Sequence, residues 1–440
     1  MAVNISSFKK RERYLVSAPT ICLCLIVGLS FLLHFFTRMF SGYIYAFLLV
    51  TFTVAYILSK KVAFKRGRYL VIIWTCAVII MILSFLNSQR SNGAILDIIV
   101  FSCGLLLLFF CSYNENVYDG SVSLIKKLTI LFAVGVFLQT FLPTVYRVVI
   151  MIFPSAYRAA LVSNGSGFTL NTGYSAGYII AGLMAVLSEV KTFRKIQLKR
   201  LVLPLFMFLA LVLTGKRGPA LFFIMTLVFV YLIPVKGIKK IQRYWRIFMI
   251  FFVAVIMLWA FRDVLLQLPL VGRMLNTIVG VIEGEDISSG RSRLYMWALN
   301  LFKNNPLFGI GWGRFRTTVV GNVTLVYELE THNIYLQLLA ETGIIGFLVF
   351  TVLFLSFWNV TREAYSRCVQ NSNQDEIVWR KLLFFSFSYQ TYFLLYGLSG
   401  NPLYDPHFQI MYIFSCAIIV AYNGVKGSIK GSIVNFGDEQ

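Results

Sequence analysis

Three polar residues in a largely apolar chain have side chains that could assist the departure of a phosphorylated group. Arg217 lies in a turn at residues 214–219, Arg291 follows Gly290, and His332 begins a polar stretch. A guanidinium is a planar fork of donors that binds diphosphate oxygens in pairs. An imidazole with a pKa of about 6.5 can accept a proton near neutrality. Two such cations and one base facing the same aqueous compartment suit a reaction that expels a phosphorylated leaving group.

The composition places these residues in a membrane protein. Of the 440 residues, 58% are hydrophobic and 13% are charged, and no polar segment is long enough to form a separate soluble enzyme. Because a bilayer core needs about 20 apolar residues per helix, the sequence predicts one all-α membrane domain over residues 1–440 with about twelve transmembrane helices. The predicted spans are residues 15–36, 42–59, 69–86, 94–112, 128–142, 173–190, 201–214, 219–235, 247–261, 343–358, 382–398 and 407–422.

Basic residues indicate how these spans are oriented. Lys and Arg cluster before the first span and in the loops near residues 60–68, 191–200 and 236–246. Since basic short loops stay in the cytoplasm, both termini are predicted to be cytoplasmic and the three polar residues to face outward. The net charge of +22 follows from this bias, so we expect attraction to anionic membrane lipid and no nucleic-acid binding. The apolar run after the basic start predicts an uncleaved first helix.

Two predicted outward segments are longer than the turns between the other spans. Residues 143–172 form the smaller one, and residues 262–331 form the larger one. A loop as long as the second usually carries function. Within it, an apolar stripe over residues 291–302 predicts a short helix, and the glycines of residues 309–313 predict a turn after it. We expect this loop to cap the outer mouth of the bundle, with its helix lying along the membrane interface.

Each of the three residues also has an ordinary structural explanation. Arg217 could be a cation that reaches from a helix end to the membrane surface. Arg291 and Arg293 point in different directions on a helix and could both be solvated charges. We favour Arg291 because Gly290 lets a ligand approach closely. His332 is one of three histidines near the same face, and we favour it because it ends the long loop and starts a polar helix.

Acidic residues give little support for a metal site or for ion-coupled transport. The outward acidic cluster at residues 283–286 could bind a divalent cation through oxygen ligands, but we interpret it as a solvated loop. The first outward loop, residues 37–41, has no carboxylate, which argues against metal-dependent membrane glycosyltransferases. Asp97 and Glu189 lie near the ends of spans, too shallow for a proton relay. We therefore expect no metal and no cofactor.

Four motifs follow one another in the second half of the chain. They are Gly290-Arg291 with Leu294 and Trp297, Asn305-Pro306-Leu307-Phe308-Gly309-Ile310-Gly311, Thr331-His332-Asn333-Ile334-Tyr335-Leu336-Gln337, and Glu341-Thr342-Gly343-Ile344-Ile345-Gly346. Their order resembles that in the O-antigen ligase and polymerase superfamily, over roughly residues 200–360. The resemblance implies a twelve-span, metal-independent enzyme that transfers lipid-linked glycans at the outer face of a membrane.

The resemblance also implies a role for each candidate residue. Arg217 and Arg291 would hold the diphosphate of the lipid donor, and His332 would act as the base. Further substrate contacts are expected from Lys216, Arg293, Asn333, Tyr335, Trp312, Arg158 and Asn171. The last of these ends a stretch, residues 167–171, that is similar to one found before the sixth span in the family.

Within the superfamily, the His332 and Glu341 motifs are more similar to polysaccharide repeat-unit polymerases than to ligases. The resemblance implies transfer of a growing glycan from undecaprenyl diphosphate to the non-reducing end of a lipid-linked repeat unit. We expect inversion at the anomeric carbon, because one displacement occurs and no carboxylate nucleophile is apparent.

The implied location is the bacterial inner (cytoplasmic) membrane, with the site facing the exterior. The implied partners are an undecaprenyl-diphosphate-linked oligosaccharide, membrane lipid and a chain-length regulator protein. Two alternatives stay open: a ligase that transfers the glycan to a lipid A core, and a flippase or exporter that binds the diphosphate without chemistry. A structural scaffold would leave the outward arginines and histidine without a role.

Overall fold

The protein is all-α in the residues that its computed structural model describes. These are residues 68–87, 92–109, 114–152, 165–169, 171–190, 198–234, 238–260, 272, 291–317, 330–371 and 376–435. Within these ranges the α-helices are α1 Arg68–Leu86, α2 Asn92–Phe109, α3 Glu115–Phe141, α4 Pro143–Ile150, α5 Thr172–Val190, α6 Val202–Leu213, α7 Arg217–Leu232, α8 Ile238–Ala260, α9 Arg291–Asn304, α10 Ile334–Asn371, α11 Ile377–Tyr396 and α12 Pro406–Asn435. Short 3₁₀ turns occur at Leu198–Arg200, Arg314–Thr317 and Pro402–Tyr404.

The helices lie where the apolar stretches predict them. The two predicted spans within residues 1–67 fall outside the described residues, and each of the other predicted spans overlaps a helix. Four described segments are long and apolar enough to cross a bilayer: Tyr69–Leu86, Glu115–Phe141, Ile334–Gln370 and Pro406–Val425. They indicate an integral membrane protein, whereas the twelve spans and their orientation stay predictions.

Helices α11 and α12 form the centre of the bundle. All residues from 382 to 393 in α11 and from 408 to 422 in α12 are buried. Helix α11 packs against α5, α7, α10 and α12, which accounts for this burial. Stacked aromatic rings fill the space between helices, with the Phe393 and Tyr412 centroids 4.3 Å apart.

Helix α10 is broken at Gly343, and the segment before it in the chain fills the break. Gly343 has φ 64°, and a Cβ there would lie 2.3 Å from the carbonyl oxygen of Leu307, so only glycine fits. The amide of Gly311 donates to the Glu341 carbonyl at 2.9 Å, and the amide of Ile344 donates to the Pro306 carbonyl at 2.8 Å. The break thus fastens residues 306–311 to α10.

The helix predicted over residues 291–302 is confirmed as α9. Its Ala298 is buried against Phe315 and Ala340, and Trp297 and Leu301 pack around them. Three residues of the predicted stripe therefore bind α9 to α10. A position along the membrane interface is not tested by these contacts.

The bundle has two distinguishable ends. Helices α7, α9 and α10 begin, and α11 ends, at the His332 end. The opposite end, called the Lys126 end, carries Lys126, Glu189 and Lys381. Because α11 runs from one end to the other, its Lys381 and Gly397 are separated by about 24 Å at 1.5 Å per residue.

Candidate active site at the His332 end

Three parts of the chain meet at Ser399, in the turn after α11. Arg291, the first residue of α9, donates from Nη1 to the Ser399 carbonyl oxygen at 3.1 Å and to Ser399 Oγ at 2.8 Å. A Cβ on Gly218, in the first turn of α7, would lie 3.5 Å from the same Oγ. The structure therefore brings the start of α9 and the Arg217-Gly218 turn to one residue, which sequence reasoning did not single out.

The His332 backbone adopts a conformation that non-glycine residues seldom take. Its φ is 55°, and it is the only non-glycine residue with positive φ in the described part of the chain. Histidine tolerates this left-handed region better than most residues, at a cost of about 1–2 kcal/mol. Such strain persists only where surrounding contacts hold it.

Asn333 and Thr331 supply those contacts on either side of His332. Asn333 Oδ1 accepts hydrogen bonds from the amides of Tyr335 at 3.0 Å and Leu336 at 3.1 Å, which makes it the N-terminal cap of α10. Thr331 Oγ1 donates to the Asn333 carbonyl oxygen at 2.7 Å. The turn 331–333 is therefore closed by its own side chains, which fixes the backbone that carries His332.

The same turn is docked on the end of α11. The amide of Ile334 donates to the Gly397 carbonyl at 2.9 Å, and Asn333 Nδ2 donates to the Leu398 carbonyl at 3.2 Å. Ser399, which binds Arg291, follows Leu398 directly. The end of α11 therefore fixes His332 and Arg291 relative to each other.

The electrostatic surroundings of His332 keep its imidazole neutral. Burial lowers the pKa of His332 below its ordinary value, and the positive charges of Arg291 and Lys216 lower it further. A neutral imidazole near pH 7 has a free nitrogen lone pair and can accept a proton. The predicted base and two of the predicted cations thus belong to one electrostatic neighbourhood.

Arg217 begins α7 in the turn that its glycine and proline neighbours predict. Gly215 has φ 66°, Pro219 is buried in the first turn of the helix, and Arg217 is half-buried. Pro is well suited to a helix start, where its missing N–H costs little. The N-terminus of α7 adds partial positive charge from its backbone amides, which favours an anion in this region.

The other predicted substrate contacts divide into three groups. Arg293 is exposed on α9, two residues after Arg291, which binds Ser399. Asn333 and Tyr335 already serve the local fold, since Tyr335 Oη donates to the Leu394 carbonyl at 2.7 Å. Asn171 caps the start of α5, accepting from the Tyr174 amide at 3.0 Å. Arg158 lies outside the described residues.

Trp312 has a packing role in the structure. Its exposed fraction is 0%, and its ring stacks on Tyr404 at 4.6 Å and on Phe350 at 5.8 Å between centroids. An indole enclosed on both faces has no surface left for a sugar. We therefore leave Trp312 out of the site proposed below.

The sequence placed Glu341 in a motif but did not predict its structural role behind the His332 turn. Glu341 is fully buried, and its carboxylate accepts hydrogen bonds from the amides of Gly313 at 2.9 Å and Phe315 at 3.1 Å. The Glu-x-Gly-x-x-Gly motif thus holds the loop after α9 in place. Arg316, also buried, lies 3.5 Å from Asp97 near the start of α2, so Asp97 is a buried ion-pair partner.

Metal independence stays a prediction. The acidic residues 283–286 lie outside the described ranges. Within those ranges, no group of three or more His, Cys, Asp or Glu side chains is arranged to hold a metal ion.

Comparison with known families gives one assignment. Residues 202–351 match the sequence profile of the O-antigen ligase family. The matched stretch runs from α6 to the middle of α10 and contains Arg217, Arg291 and His332. No curated protein matches the chain. Residues 202–351, about a third of the chain, are therefore similar to the O-antigen ligase family, which includes both O-antigen ligases and polymerases.

Proposed function

We propose that this protein is a polymerase that transfers a growing glycan from a polyprenyl diphosphate to a lipid-linked repeat unit. The family points to a glycan-transferring ligase or polymerase and implies a lipid-linked glycan substrate. The observation that carries the proposal is the arrangement around Ser399. There the Arg291 guanidinium is fixed to the end of α11, next to the strained turn that carries His332.

The proposed donor site is the cationic region formed by Arg291, Lys216 and Arg217. A lipid diphosphate carries negative charge on oxygens that match the paired donors of a guanidinium. Arg291 is anchored through one nitrogen to Ser399, a neutral residue, so the rest of its fork can bind an anion without breaking an ion pair there. The backbone amides at the N-terminus of α7 also favour the binding of an anion.

The proposed chemistry is a single displacement. His332 removes the proton from an acceptor hydroxyl, and that oxygen attacks the anomeric carbon of the donor glycan. The bond from this carbon to the diphosphate oxygen breaks, and the electron pair leaves with the polyprenyl diphosphate. Arg217 and Arg291 stabilise the negative charge that grows on the leaving group, a contribution that commonly dominates such reactions. One displacement inverts the configuration at the anomeric carbon.

The proposed orientation places the His332 end outside the cell. Helix α5 runs from the His332 end to Glu189, and the basic loop residues that follow it, Lys199 and Arg200, belong to the Lys126 end. Arg243 and Arg246, near the start of α8, lie beyond the far end of α7. Basic residues of this kind are retained in the cytoplasm.

Polymerase is preferred to ligase because of the motifs around His332 and Glu341, and an enzyme is preferred to a flippase because of the strained His332 turn. A carrier that only binds a diphosphate needs cations, but it has no use for an imidazole held in a costly backbone conformation beside them. The ligase differs from the polymerase in its acceptor only.

Purified protein in detergent, mixed with lipid-linked repeat units, tests the proposal. Growth of a glycan ladder without a membrane is the expected result. Unchanged repeat units would contradict enzymatic transfer and support transport instead. Transfer that occurs only after a lipid A core acceptor is added would replace the polymerase by the ligase.

A further inference from the structure

A second arginine, Arg316, joins three separate parts of the chain behind the candidate site. Its Nη2 donates to Glu330 Oε1 and to the Tyr404 carbonyl oxygen, the latter at 2.9 Å. Its Nη1 lies 3.5 Å from Asp97 Oδ2 on α2. The guanidinium therefore links α2, the residue pair that precedes His332, and the 3₁₀ turn before α12.

Arg316 and Asp97 form a buried ion pair. The exposed fractions of the Arg316 and Asp97 side chains are 9% and 2%. Removing one partner of a buried ion pair leaves a charge without compensation, which is strongly unfavourable. A guanidinium can serve three acceptors at once because its donors form a rigid planar fork, whereas a lysine ammonium acts as a single point charge.

Glu330 connects this group to the His332 turn. It stands two residues before His332, with the fully buried Thr331 between them. The Thr331 amide donates to Gln337 Oε1 at 3.2 Å, and its hydroxyl donates to the Asn333 carbonyl. Arg316 thus holds the residues before His332 in place, whereas Asn333 and the end of α11 hold the residues after it.

We infer that Arg316, together with Asp97 and Glu330, is a positioning group that keeps the His332 turn in its strained conformation. The inference rests on the proposed function of His332 as the base. Arg316 makes no proposed contact with substrate. It acts through Glu330 on the backbone of residues 331–333, so its loss misplaces the imidazole and leaves the Arg291–Ser399 contact unchanged.

The kinetic test compares Arg316→Gln and Arg316→Lys with the wild type in the detergent assay with lipid-linked repeat units. We expect kcat to fall about 10- to 100-fold in Arg316→Gln, since small misplacements of a reacting group have effects of this size. The donor KM should stay within about twofold, because the proposed diphosphate contacts remain. The kcat of Arg316→Lys should lie between those of the wild type and Arg316→Gln, because lysine keeps the positive charge but lacks the planar set of donors of a guanidinium.

Lys381→Gln is the matched control. Lys381 is a similarly buried cation, with an exposed fraction of 13%, and it pairs with Asp119 at 2.7 Å at the Lys126 end. If burial of a paired charge matters only for folding, both glutamine variants should lower the melting temperature and both should keep kcat. That result would overturn the inference. The inference requires that kcat falls in Arg316→Gln alone.

The double variant Asp97→Asn/Arg316→Gln covers the case in which Arg316→Gln does not fold. It removes both charges of the Asp97–Arg316 pair, a change that proteins tolerate better than the loss of one, and the Glu330 carboxylate that remains is 26% exposed to water. We expect it to fold and still to show a lowered kcat, because Glu330 has lost its anchor. A kcat equal to that of the wild type would contradict the positioning role.

A chemical readout separates this inference from the proposed function. Diethyl pyrocarbonate modifies accessible neutral imidazoles, and mass spectrometry can follow its reaction with His332. The modification should be several times faster in Arg316→Gln than in Lys381→Gln, because the turn is loosened. If the wild type fails to elongate glycans, the proposed function fails, while an unchanged modification rate would reject the positioning role independently.

Discussion

At the Lys126 end of the bundle cations pair with carboxylates, whereas at the His332 end Arg291 pairs with the neutral Ser399. Lys126 lies 2.7 Å from Glu189, and Lys381 lies 3.4 Å from the same carboxylate. At the His332 end, burial lowers the pKa of the His332 imidazole, and two cations lower it further. Paired charges stabilise a structure, whereas a cationic region beside a neutral base is suited to an anionic substrate. We interpret the paired charges at the Lys126 end as structural and the cations beside His332 as functional.

The largest expected effect is that of His332→Asn. Asparagine tolerates positive φ and can keep the turn, but it cannot accept a proton as imidazole does. We expect the rate of glycan transfer to fall about 10²- to 10⁴-fold with little change in the amount of folded protein. The rate at which the purified variant transfers glycan in detergent is the measurement that checks this prediction. A wild-type rate in His332→Asn would remove His332 from the chemistry.

Replacing Arg291 should have the next largest effect. Arg291→Gln loses a charged hydrogen bond to the leaving group, worth about 1.5–3 kcal/mol, so the rate should fall about 10- to 100-fold. Arg293→Gln is the control, because Arg293 has the same charge and is exposed on the same helix. Equal losses in the two variants would mean that general positive charge, and not the guanidinium bound to Ser399, is what matters.

The pH at which activity falls on the acid side of the pH–rate profile should depend on the charge of Lys216. His332 must be neutral to act as a base, so activity falls as the pH drops through its pKa. Lys216 lowers that pKa, and Lys216→Gln should therefore let the pKa rise and move the acid limb to higher pH. Lys303→Gln, the same change at the exposed far end of α9, should leave the profile in place. A limb that does not move in Lys216→Gln would contradict the electrostatic coupling.

A smaller effect should appear in the stability of His332 variants. Glycine adopts φ 55° without strain and alanine does not, so His332→Gly should be more stable than His332→Ala by about 1 kcal/mol. Thermal unfolding of the two purified variants measures the difference. If His332→Ala were as stable as His332→Gly or more stable, the turn would have relaxed. The surroundings of residue 332 would then not require the strained conformation.

The smallest effect is expected at the Lys126 end. Lys126 and Glu189 are partly exposed, with exposed fractions of 21% and 32%, so their ion pair should contribute at most about 1 kcal/mol. Lys126→Gln should therefore lower the melting temperature slightly and leave the transfer rate unchanged. A large loss of activity in this variant would mean that the two ends are coupled, contrary to the comparison drawn above.

Local patterns in the sequence predicted much of this fold. Apolar stretches located the helices because about 20 apolar residues in a row have few alternatives to a buried or membrane-spanning helix. The stripe of Trp297, Ala298 and Leu301 predicted α9, and the Gly215-to-Pro219 turn predicted the start of α7. The start of α3 was missed, because its first turns carry polar residues that follow the Asn114 cap.

Contacts between distant parts of the chain could not be predicted in the same way. Ser399 gives no sign in the sequence that it accepts a hydrogen bond from Arg291, and Asp97 gives none that it faces Arg316. Glu341 was visible as part of a motif, but its role in holding the amides of residues 313 and 315 depends on how the loop packs. Such pairings are set by tertiary packing, which periodicity and composition do not encode locally.

The most direct test of the central claim is the release of polyprenyl diphosphate by purified protein incubated in detergent with lipid-linked repeat units. We expect that the wild type and Lys126→Gln release it at the same rate and that His332→Asn releases almost none. If all three proteins leave the substrate intact, or if all three release the diphosphate at equal rates, the His332 end is not the site of glycan transfer.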